Sequence, residues 1–384
     1  MLNRKPDYER DNLTNLMASI GLAFGRKPGR YPALDSGCLT ELDQAQHVVL
    51  LVIDGLGYRH IRRNAQGGVF NAYLKGSLTT VFPATTATAV TTLMTGVAPQ
   101  QHGLTGWYMR LSDQDNAVAV LPWRRRDGET PAGLAQELHT ALPFVEGLEV
   151  DAVAILPQNL TASAYSRAYY GRSRMLGYAT ADQCWDQIEN TIRMAQRRSF
   201  VQVYWPRLDA LSHQYGVNSP EVFTHLMELD QAFYDLLQRL EGTDTCVLVT
   251  ADHGFIDAPE AHHLSVHEHP DLARCLRSPL CGEPRAAYAY LNAGSEAVFD
   301  ELIATRFQHC VESVASETLL QAGWFGLGNA HPELKHRIGD RVLLMKDDWI
   351  IHDRKADESG FNMIGVHGGV SADEQMVPLI AARV

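Results

Sequence analysis

The stretch HVVLLVID, residues 47–54, is a short apolar run rich in β-branched side chains that ends in an acid. Two later apolar runs are similar in length, SFVQVYW at residues 199–205 and TCVLVTAD at residues 245–252, and the second of them also ends in an acid. Strands that are buried on both faces of a parallel sheet have such continuous apolar sequences, and polar or glycine-containing turns follow them. The three runs therefore predict central strands of a parallel sheet.

Helical patterns lie between these runs. Apolar residues recur at helical spacing in the segments 88–94, 132–140, 181–196 and 220–240. Strands that alternate with helices indicate an α/β layered fold. The last segment, VPLIAARV at residues 377–384, is expected to return to the same sheet as a strand.

The pattern changes near residue 270. A strand-like segment RAAYAYLNAG is followed by helix-like SEAVFDELIATRFQ and SETLLQAGWFG, and then by DRVLLMKDDWIIH. This order predicts a small α+β cap subdomain at residues 270–350, inserted into a core formed by residues 1–269 and 351–384. Such a cap would cover a site on the core and set its specificity.

Composition excludes several classes of protein. The chain has 384 residues, 45% of them hydrophobic, and a formal net charge of −12, which argues against binding to nucleic-acid polymers. No apolar run approaches the roughly 18 residues that a membrane span needs, and the N-terminal segment has no secretory pattern. Six scattered cysteines without a CxxC pair indicate reduced thiols, so a cytoplasmic protein is expected.

Potential metal ligands follow each of the three predicted strands. Asp54 ends the first run, Asp209 comes shortly after the second, and Asp252 with His253 ends the third. Ligands of open α/β sheets bind at the carboxyl ends of the strands, where these side chains would meet. Taken singly, an acid after a strand is more often a helix N-cap, but the joint arrangement favours a metal site.

Two further histidines extend this set. His213 lies four residues after Asp209, so both side chains would project from one face of a helical turn. His367 stands between glycines in GVHGG, and glycines let the backbone approach a site closely. Mixed histidine and aspartate ligands suit zinc. Two ions about 4 Å apart would clamp both oxygens of an in-line displacement.

The motifs VVLLVIDGLG, FPATTATAVTTLMTG, the DxxxH pattern at residues 209–213, TADHG and GVHGG together resemble the alkaline phosphatase superfamily. They are most similar to its type I phosphodiesterase/nucleotide pyrophosphatase branch, and they extend over almost the whole chain. The resemblance implies an α/β fold, an alkaline-phosphatase-like three-layer α/β/α sandwich with a mostly parallel central sheet.

The same resemblance implies a site with two Zn²⁺ ions, with Mn²⁺ as an alternative. One ion would be held by Asp54, Asp252 and His253, and the other by Asp209, His213 and His367.

The threonine-rich motif supplies the nucleophile that the resemblance implies. In this branch the nucleophile lies nine residues before the threonine of the closing TG, which gives Thr86, with Thr85 one residue out of register. A hydroxyl needs activation, and Thr86 would gain it from contact with a metal and from a helix N-terminus. The remaining threonines of the motif are expected to pack tightly and to bond back to the preceding helical turn.

Two positions depart from the branch. Ala87 stands where nucleotide pyrophosphatases have a base-stacking aromatic residue, and Trp107 stands where they have an asparagine that donates to a phosphoryl oxygen. The nucleotide specificity of the branch therefore does not carry over directly. Trp107, Tyr108 and Asn159 are the candidate substrate-binding residues, and the main-chain N–H of Thr86 is a further candidate donor.

Two polar segments are interpreted as surface. HHLSVHEHP, residues 262–270, is expected to be an exposed loop, because histidine is frequent at surfaces. WRRRDG, residues 123–128, could steer an anionic substrate, but a solvated charge run is the favoured interpretation.

These observations predict a two-metal phosphoric ester hydrolase, most simply a phosphodiesterase that acts through a phosphothreonine intermediate. A phosphomonoesterase or phosphonate hydrolase on the same site is the enzymatic alternative. A metal-stabilised binding protein without turnover is the alternative from another class. The expected partner is a small phosphate-ester substrate, with no nucleic-acid polymer and no membrane, and the pattern leaves the oligomeric state open.

Overall fold

The computed structural model describes residues 5–35, 39–111, 117–126, 128–130, 141–353 and 363–384. The predicted helix at 132–140 and Cys38 lie outside the described residues. The other five cysteines are buried free thiols.

The centre of the fold is a seven-stranded sheet. The three apolar runs form its adjacent strands β1 (His47–Ile53), β8 (Ser199–Trp205) and β9 (Thr245–Thr250), and β1 is parallel to both neighbours, which confirms the prediction. The C-terminal strand β18 (Met376–Arg383) returns to this sheet, antiparallel to β9 and to β2 (Leu74–Thr79). In spatial order the strands are β2 (Leu74–Thr79), β18 (Met376–Arg383), β9 (Thr245–Thr250), β1 (His47–Ile53), β8 (Ser199–Trp205), β6 (Asp151–Pro157) and β7 (Arg174–Tyr178).

Helices cover the sheet, and β1 and β9 are buried along their whole length. The predicted patterns at 88–94, 181–196 and 220–240 form α4 (Thr86–Thr95), α7 (Ala181–Arg193) and α9 (Pro220–Arg239), each within a few residues of the expected bounds. No helix among the described residues has the length and apolar character required to cross a bilayer. The helices are α1 (Leu13–Ala23), α2 (Tyr58–Asn64), α3 (Val69–Ala72), α4 (Thr86–Thr95), α5 (Pro99–His102), α6 (Ala164–Tyr169), α7 (Ala181–Arg193), α8 (Arg207–Tyr215), α9 (Pro220–Arg239), α10 (Pro270–Cys275), α11 (Glu296–Leu302), α12 (Ser316–Gln321), α13 (Leu334–Arg337) and α14 (Ala372–Gln375).

The described residues also form a second seven-stranded sheet, which is antiparallel throughout. It combines strands from residues 281–345 with three strands that precede β6 in the chain. The division of the chain at residues 270 and 350 stays a prediction. In spatial order the strands are β14 (Val311–Ala315), β15 (Arg341–Met345), β13 (Ala286–Ala289), β12 (Cys281–Glu283), β3 (Tyr108–Arg110), β4 (Ala117–Ala119) and β5 (Arg124–Arg125).

Two short strand pairs lie outside the seven-stranded sheets. β10 (Ile256–Asp257) pairs with β17 (Gly365–Val366), and β11 (His263–Ser265) pairs with β16 (Ile350–His352). The expectation that 262–270 is an exposed loop is wrong for β11, where Leu264 and Ser265 are buried and His263 is half-buried. The pairing with β16 supplies the backbone hydrogen bonds that permit this burial.

Candidate active site

Helix α4 begins at Thr86, with Thr85 as its N-cap residue, and is buried throughout. The hydroxyls of Thr88, Thr91, Thr92 and Thr95 donate to main-chain carbonyls of the preceding turn, as expected, at 2.6–3.0 Å. Thr86 differs from them, because its Oγ1 lies 3.2 Å from Nε2 of His253. Of the threonine hydroxyls in this helix, the one at its N-terminus therefore faces the strand-end residues.

The carboxyl ends of β1 and β9 place one group of ligands. Asp54 directly follows β1, and Asp252 lies two residues after the end of β9. Nε2 of His253 lies 3.4 Å from Asp54 Oδ1 and 3.5 Å from Asp252 Oδ2. Gly55 has a φ of +77°, and a Cβ there would lie 2.6 Å from the Phe255 ring. A glycine at this position lets the chain turn away from the strand within the close-packed site.

Asp209, in the first turn of α8, is the centre of a second group. Its Oδ1 lies 3.4 Å from His213 Nε2 and 3.9 Å from His367 Nε2. The Nδ1 atoms of His213 and His367 are 2.8 and 3.1 Å from the main-chain oxygens of Gly365 and Ala84. Donation from Nδ1 to a carbonyl leaves Nε2 as the atom that can bind a metal.

Buried carboxylates lie close together at this site, and a divalent cation would offset their mutual repulsion. Burial, followed by the carboxylates of Asp209 and Asp252, holds the pKa of Asp54 well above its usual range. Burial likewise raises the pKa of Asp209. Burial lowers the pKa of His213 to about 4, which keeps its imidazole neutral as a ligand must be.

Unsatisfied oxygens give an independent test of that fit. Asp54 Oδ1, Asp209 Oδ1 and Asp252 Oδ2 are buried and have no hydrogen-bond partner among the described residues. Buried acceptors without partners are costly unless an ion or water satisfies them. Ligand atoms of Asp54, Asp252 and His253, and those of Asp209, His253 and His367, lie within 4.8 Å of one another. The residues present can therefore hold divalent metal.

A cavity of about 360 Å³ opens above this cluster. Thr86, Asp209, His213 and His367 line it on the side of the central sheet, and β12 and the segment 351–353 line it on the side of the second sheet. Of the candidate substrate-binding residues, Trp107 and Tyr108 are part of the lining. Asn159 is exposed in a 3-10 helix after β6 and is not part of it.

Two features of the site carried no signal in the sequence. The Tyr204 hydroxyl donates to Asp54 Oδ2, although Tyr204 reads only as one more residue of an apolar strand. Glu283 is buried and accepts the Trp107 N–H at 2.6 Å, 176 residues away in the chain.

Arg126 belongs to the basic segment 123–128, a sequence candidate for steering an anionic substrate. It lines the cavity, pairs with Asp353 Oδ1 at 2.7 Å and lies over the Tyr108 ring. The interpretation of 123–128 as a solvated charge run is therefore wrong for Arg126, whose side chain is 19% exposed. Its partner Asp353 comes from a distant segment that only folding brings close.

Comparisons with known proteins agree with this geometry. The sequence model of the family described as "Type I phosphodiesterase / nucleotide pyrophosphatase" matches residues 48–370. No curated protein sequence matches the chain significantly.

Two solved structures of ectonucleotide pyrophosphatase/phosphodiesterase 5 are similar to it. The human protein is 16% identical with a TM-score of 0.67, over 88% of this chain and 87% of that one. The murine protein, an inactive threonine-to-alanine variant in complex with AMP, is 16% identical with a TM-score of 0.66, over 87% of each chain. At this identity the likeness concerns the fold, and it confirms the predicted three-layer α/β/α architecture with a mostly parallel sheet.

Proposed function

The chain belongs to the type I phosphodiesterase/nucleotide pyrophosphatase family, and on that premise we propose that it is a two-metal phosphodiesterase whose nucleophile is Thr86. One observation carries the proposal: the Thr86 hydroxyl, at the N-terminus of a buried helix, lies 3.2 Å from His253 within the cluster of aspartates and histidines. No other hydroxyl of α4 reaches that cluster, since those of Thr88, Thr91, Thr92 and Thr95 bond within the helix.

The proposed metal ligands are the six residues predicted from the sequence. Asp54, Asp252 and His253 would hold one ion, and Asp209, His213 and His367 the other, with zinc or manganese as the metal. When bound, such ions lower the pKa of a nucleophilic hydroxyl and neutralise charge that develops on phosphoryl oxygens.

The protein residues then have distinct tasks. Thr86 Oγ1 attacks phosphorus in line with the departing ester oxygen, the bond from phosphorus to that oxygen breaks, and a phosphothreonine forms. Water next attacks the same phosphorus, which releases Thr86 and a phosphomonoester. The positive end of the α4 dipole favours negative charge at Thr86 in both steps.

The proposed substrate is a small phosphodiester, and it need not be a nucleotide. Murine ectonucleotide pyrophosphatase/phosphodiesterase 5 is described in complex with AMP, which supports a small phosphate ester here. Ala87, however, is fully buried in α4 and offers no aromatic ring to a base. The apolar lining of the cavity, including Leu280, Ile351 and Met363, suits an ester group without a required base.

The first experiment measures hydrolysis of bis-p-nitrophenyl phosphate and p-nitrophenyl phosphate by protein loaded with zinc or manganese. Thr86→Ala is expected to abolish diester turnover while the bound metal content stays the same. Thr85→Ala is the matched control, since its hydroxyl lies one residue away in the N-cap, and it should retain turnover. Acid quenching followed by peptide mass spectrometry should detect phosphate on Thr86.

The outcomes separate the competing functions. Turnover that survives in Thr86→Ala and disappears in Thr85→Ala would move the nucleophile by one residue. Absence of turnover by the metal-replete wild type with either ester would contradict the diesterase and favour a phosphonate hydrolase or a binding protein.

A further inference from the structure

Glu283 is a buried carboxylate that the proposed chemistry does not use. It ends strand β12 of the second sheet, lines the cavity above Thr86 and is 6% exposed. None of the cations in the part of the chain that the structure describes forms an ion pair with it. Burial raises the pKa of Glu283 to about 7, an increase that the Thr85 side chain and the Trp107 N–H oppose. A buried acid without a cationic partner is costly and needs a physical explanation.

Its contacts place Glu283 beside the reacting groups. The carboxylate accepts the Trp107 N–H at 2.6 Å, and Trp107 also lines the cavity. A Cβ built on Gly368, the residue after His367, would lie 2.5 Å from the Cβ of Glu283, so the backbone at Gly368 packs closely against the Glu283 side chain. After burial and Asp252, the charge of Glu283 also raises the pKa of Asp209, so its field reaches the predicted ligands.

The arginines near Glu283 pair with other carboxylates. Arg126 is the one lysine or arginine among the described lining residues, and it pairs with Asp353 at 2.7 Å. Arg285, two residues after Glu283, forms its own buried pair with Glu374. A substrate in this cavity therefore meets a buried carboxylate that none of the described lysine and arginine side chains pairs with.

We propose that Glu283 determines specificity at this site by excluding dianionic phosphomonoesters and leaving monoanionic phosphodiesters as substrates. The inference rests on the proposed phosphodiesterase function and adds the residue that sets its charge preference. A monoester carries a second negative charge on the oxygen that a diester covers with its second organic group. Like charges repel strongly in a cavity of low polarity, and an unfavourable charge is an effective way to reject a competing ligand.

A purely structural role for Glu283 makes a different prediction. As a hydrogen-bond acceptor for Trp107, the residue would hold the loop in place and affect both ester classes equally. Glu283→Gln separates the two roles, because the amide oxygen can still accept the Trp107 N–H while the charge is lost.

The test compares methyl p-nitrophenyl phosphate with p-nitrophenyl phosphate, which share a leaving group and differ in charge. Assays use metal-loaded protein at about pH 8.5, so that Glu283 is ionised in the wild type. The ratio of kcat/KM for the diester to that for the monoester should fall at least about tenfold in Glu283→Gln. The monoester kcat/KM should also rise in absolute terms, which loss of structure cannot produce.

Two variants complete the design. Glu283→Asp keeps the charge and should keep a ratio closer to that of the wild type than Glu283→Gln does. Glu312→Gln removes the same charge from β14 of the same sheet, outside the cavity, and should leave the ratio unchanged. An unchanged ratio in Glu283→Gln, or an equal loss for both esters, overturns the inference while the diesterase function stands. A wild type that hydrolyses neither ester overturns the proposed function and this inference with it.

Discussion

The guanidinium of Arg285 forms two parallel hydrogen bonds with the carboxylate of Glu374, at 3.1 and 3.0 Å, and both side chains are at most 1% exposed. The same carboxylate accepts the N–H of Gly369 at 2.7 Å, and the main-chain oxygen of Glu374 accepts the N–H of Gly254 at 2.8 Å. Gly369 and Gly254 lie in the loops that carry His367 and His253. One buried ion pair therefore connects the second sheet to both of these loops.

Removal of one partner from this pair should be strongly destabilising. Arg285→Met leaves the Glu374 carboxylate buried without a cation, and the free energy of unfolding should fall by about 3–5 kcal/mol. Urea denaturation followed by circular dichroism measures the change. Arg274→Met is the control, because Arg274 and its partner Asp271 are 73% and 53% exposed. The control should lose less than about 1 kcal/mol, and an equal loss in both variants would contradict the prediction.

The pair also predicts a dependence of stability on pH. Burial alone would raise the pKa of Glu374, but Arg285 and the hydrogen bonds around the carboxylate hold it below its ordinary value. A lowered pKa in the folded state adds stability above the unfolded value of about 4.3 and loses it as pH falls through the folded value. The stability difference between wild type and Glu374→Gln should therefore shrink on acidification below about pH 4.3. A difference that stays constant in urea titrations across this range would refute the assignment.

Tyr204 should act through the orientation of Asp54. Its hydroxyl donates to Asp54 Oδ2, and partners of metal ligands commonly change metal affinity by about 10–100-fold when removed. Tyr204→Phe should weaken zinc binding by a factor in that range, measured by competition with a chromophoric chelator. Tyr290→Phe removes another buried donor, to the His336 carbonyl in the second sheet, and should leave zinc affinity unchanged. Equal zinc affinity in both variants would exclude this role for Tyr204.

Metal should stabilise the fold. Oxygens of Asp54, Asp209 and Asp252 that have no hydrogen-bond partner among the described residues would gain a cation on metal binding. A cation that binds only the folded state raises stability by mass action. Zinc or manganese should therefore raise Tm, and a chelator should lower it. Metal analysis of the loaded protein should give about two ions per chain, and fewer in His213→Ala. A Tm that is insensitive to both metal and chelator would contradict the proposed site.

The threonines inside α4 should affect stability and not chemistry. The Thr95 hydroxyl donates to the Thr91 carbonyl at 2.7 Å, at the opposite end of the helix from Thr86. Thr95→Val keeps the shape and removes this bond, so it should change the free energy of unfolding by about 1 kcal/mol. The kcat for the diester should stay within error of the wild type. A large loss of kcat would show that the helix interior participates in the reaction.

Much of the fold and of the metal cluster could be predicted from the sequence. The strands β1, β8 and β9 are continuous apolar runs, and a parallel sheet brings their carboxyl ends to one edge. That rule alone places Asp54, Asp209 and Asp252 together. The helical spacing of Asp209 and His213 is equally local, and the choice of Thr86 as the proposed nucleophile rests on a count that the family resemblance implies.

The rest of the site depends on contacts between segments that are distant in the chain. Glu283 meets Trp107, Arg126 meets Asp353, and Arg285 meets Glu374, at separations of 176, 227 and 89 residues. No local period or motif encodes such contacts, because they arise only when segments that are distant in the chain pair and pack in the folded structure. Sequence patterns follow backbone geometry within one element, and they predicted the sheet, the helix that carries Thr86 and the cluster of aspartates and histidines at the strand ends. Tertiary packing decided which charges face the cavity, since the energy of a charge depends on the neighbours that folding brings to it.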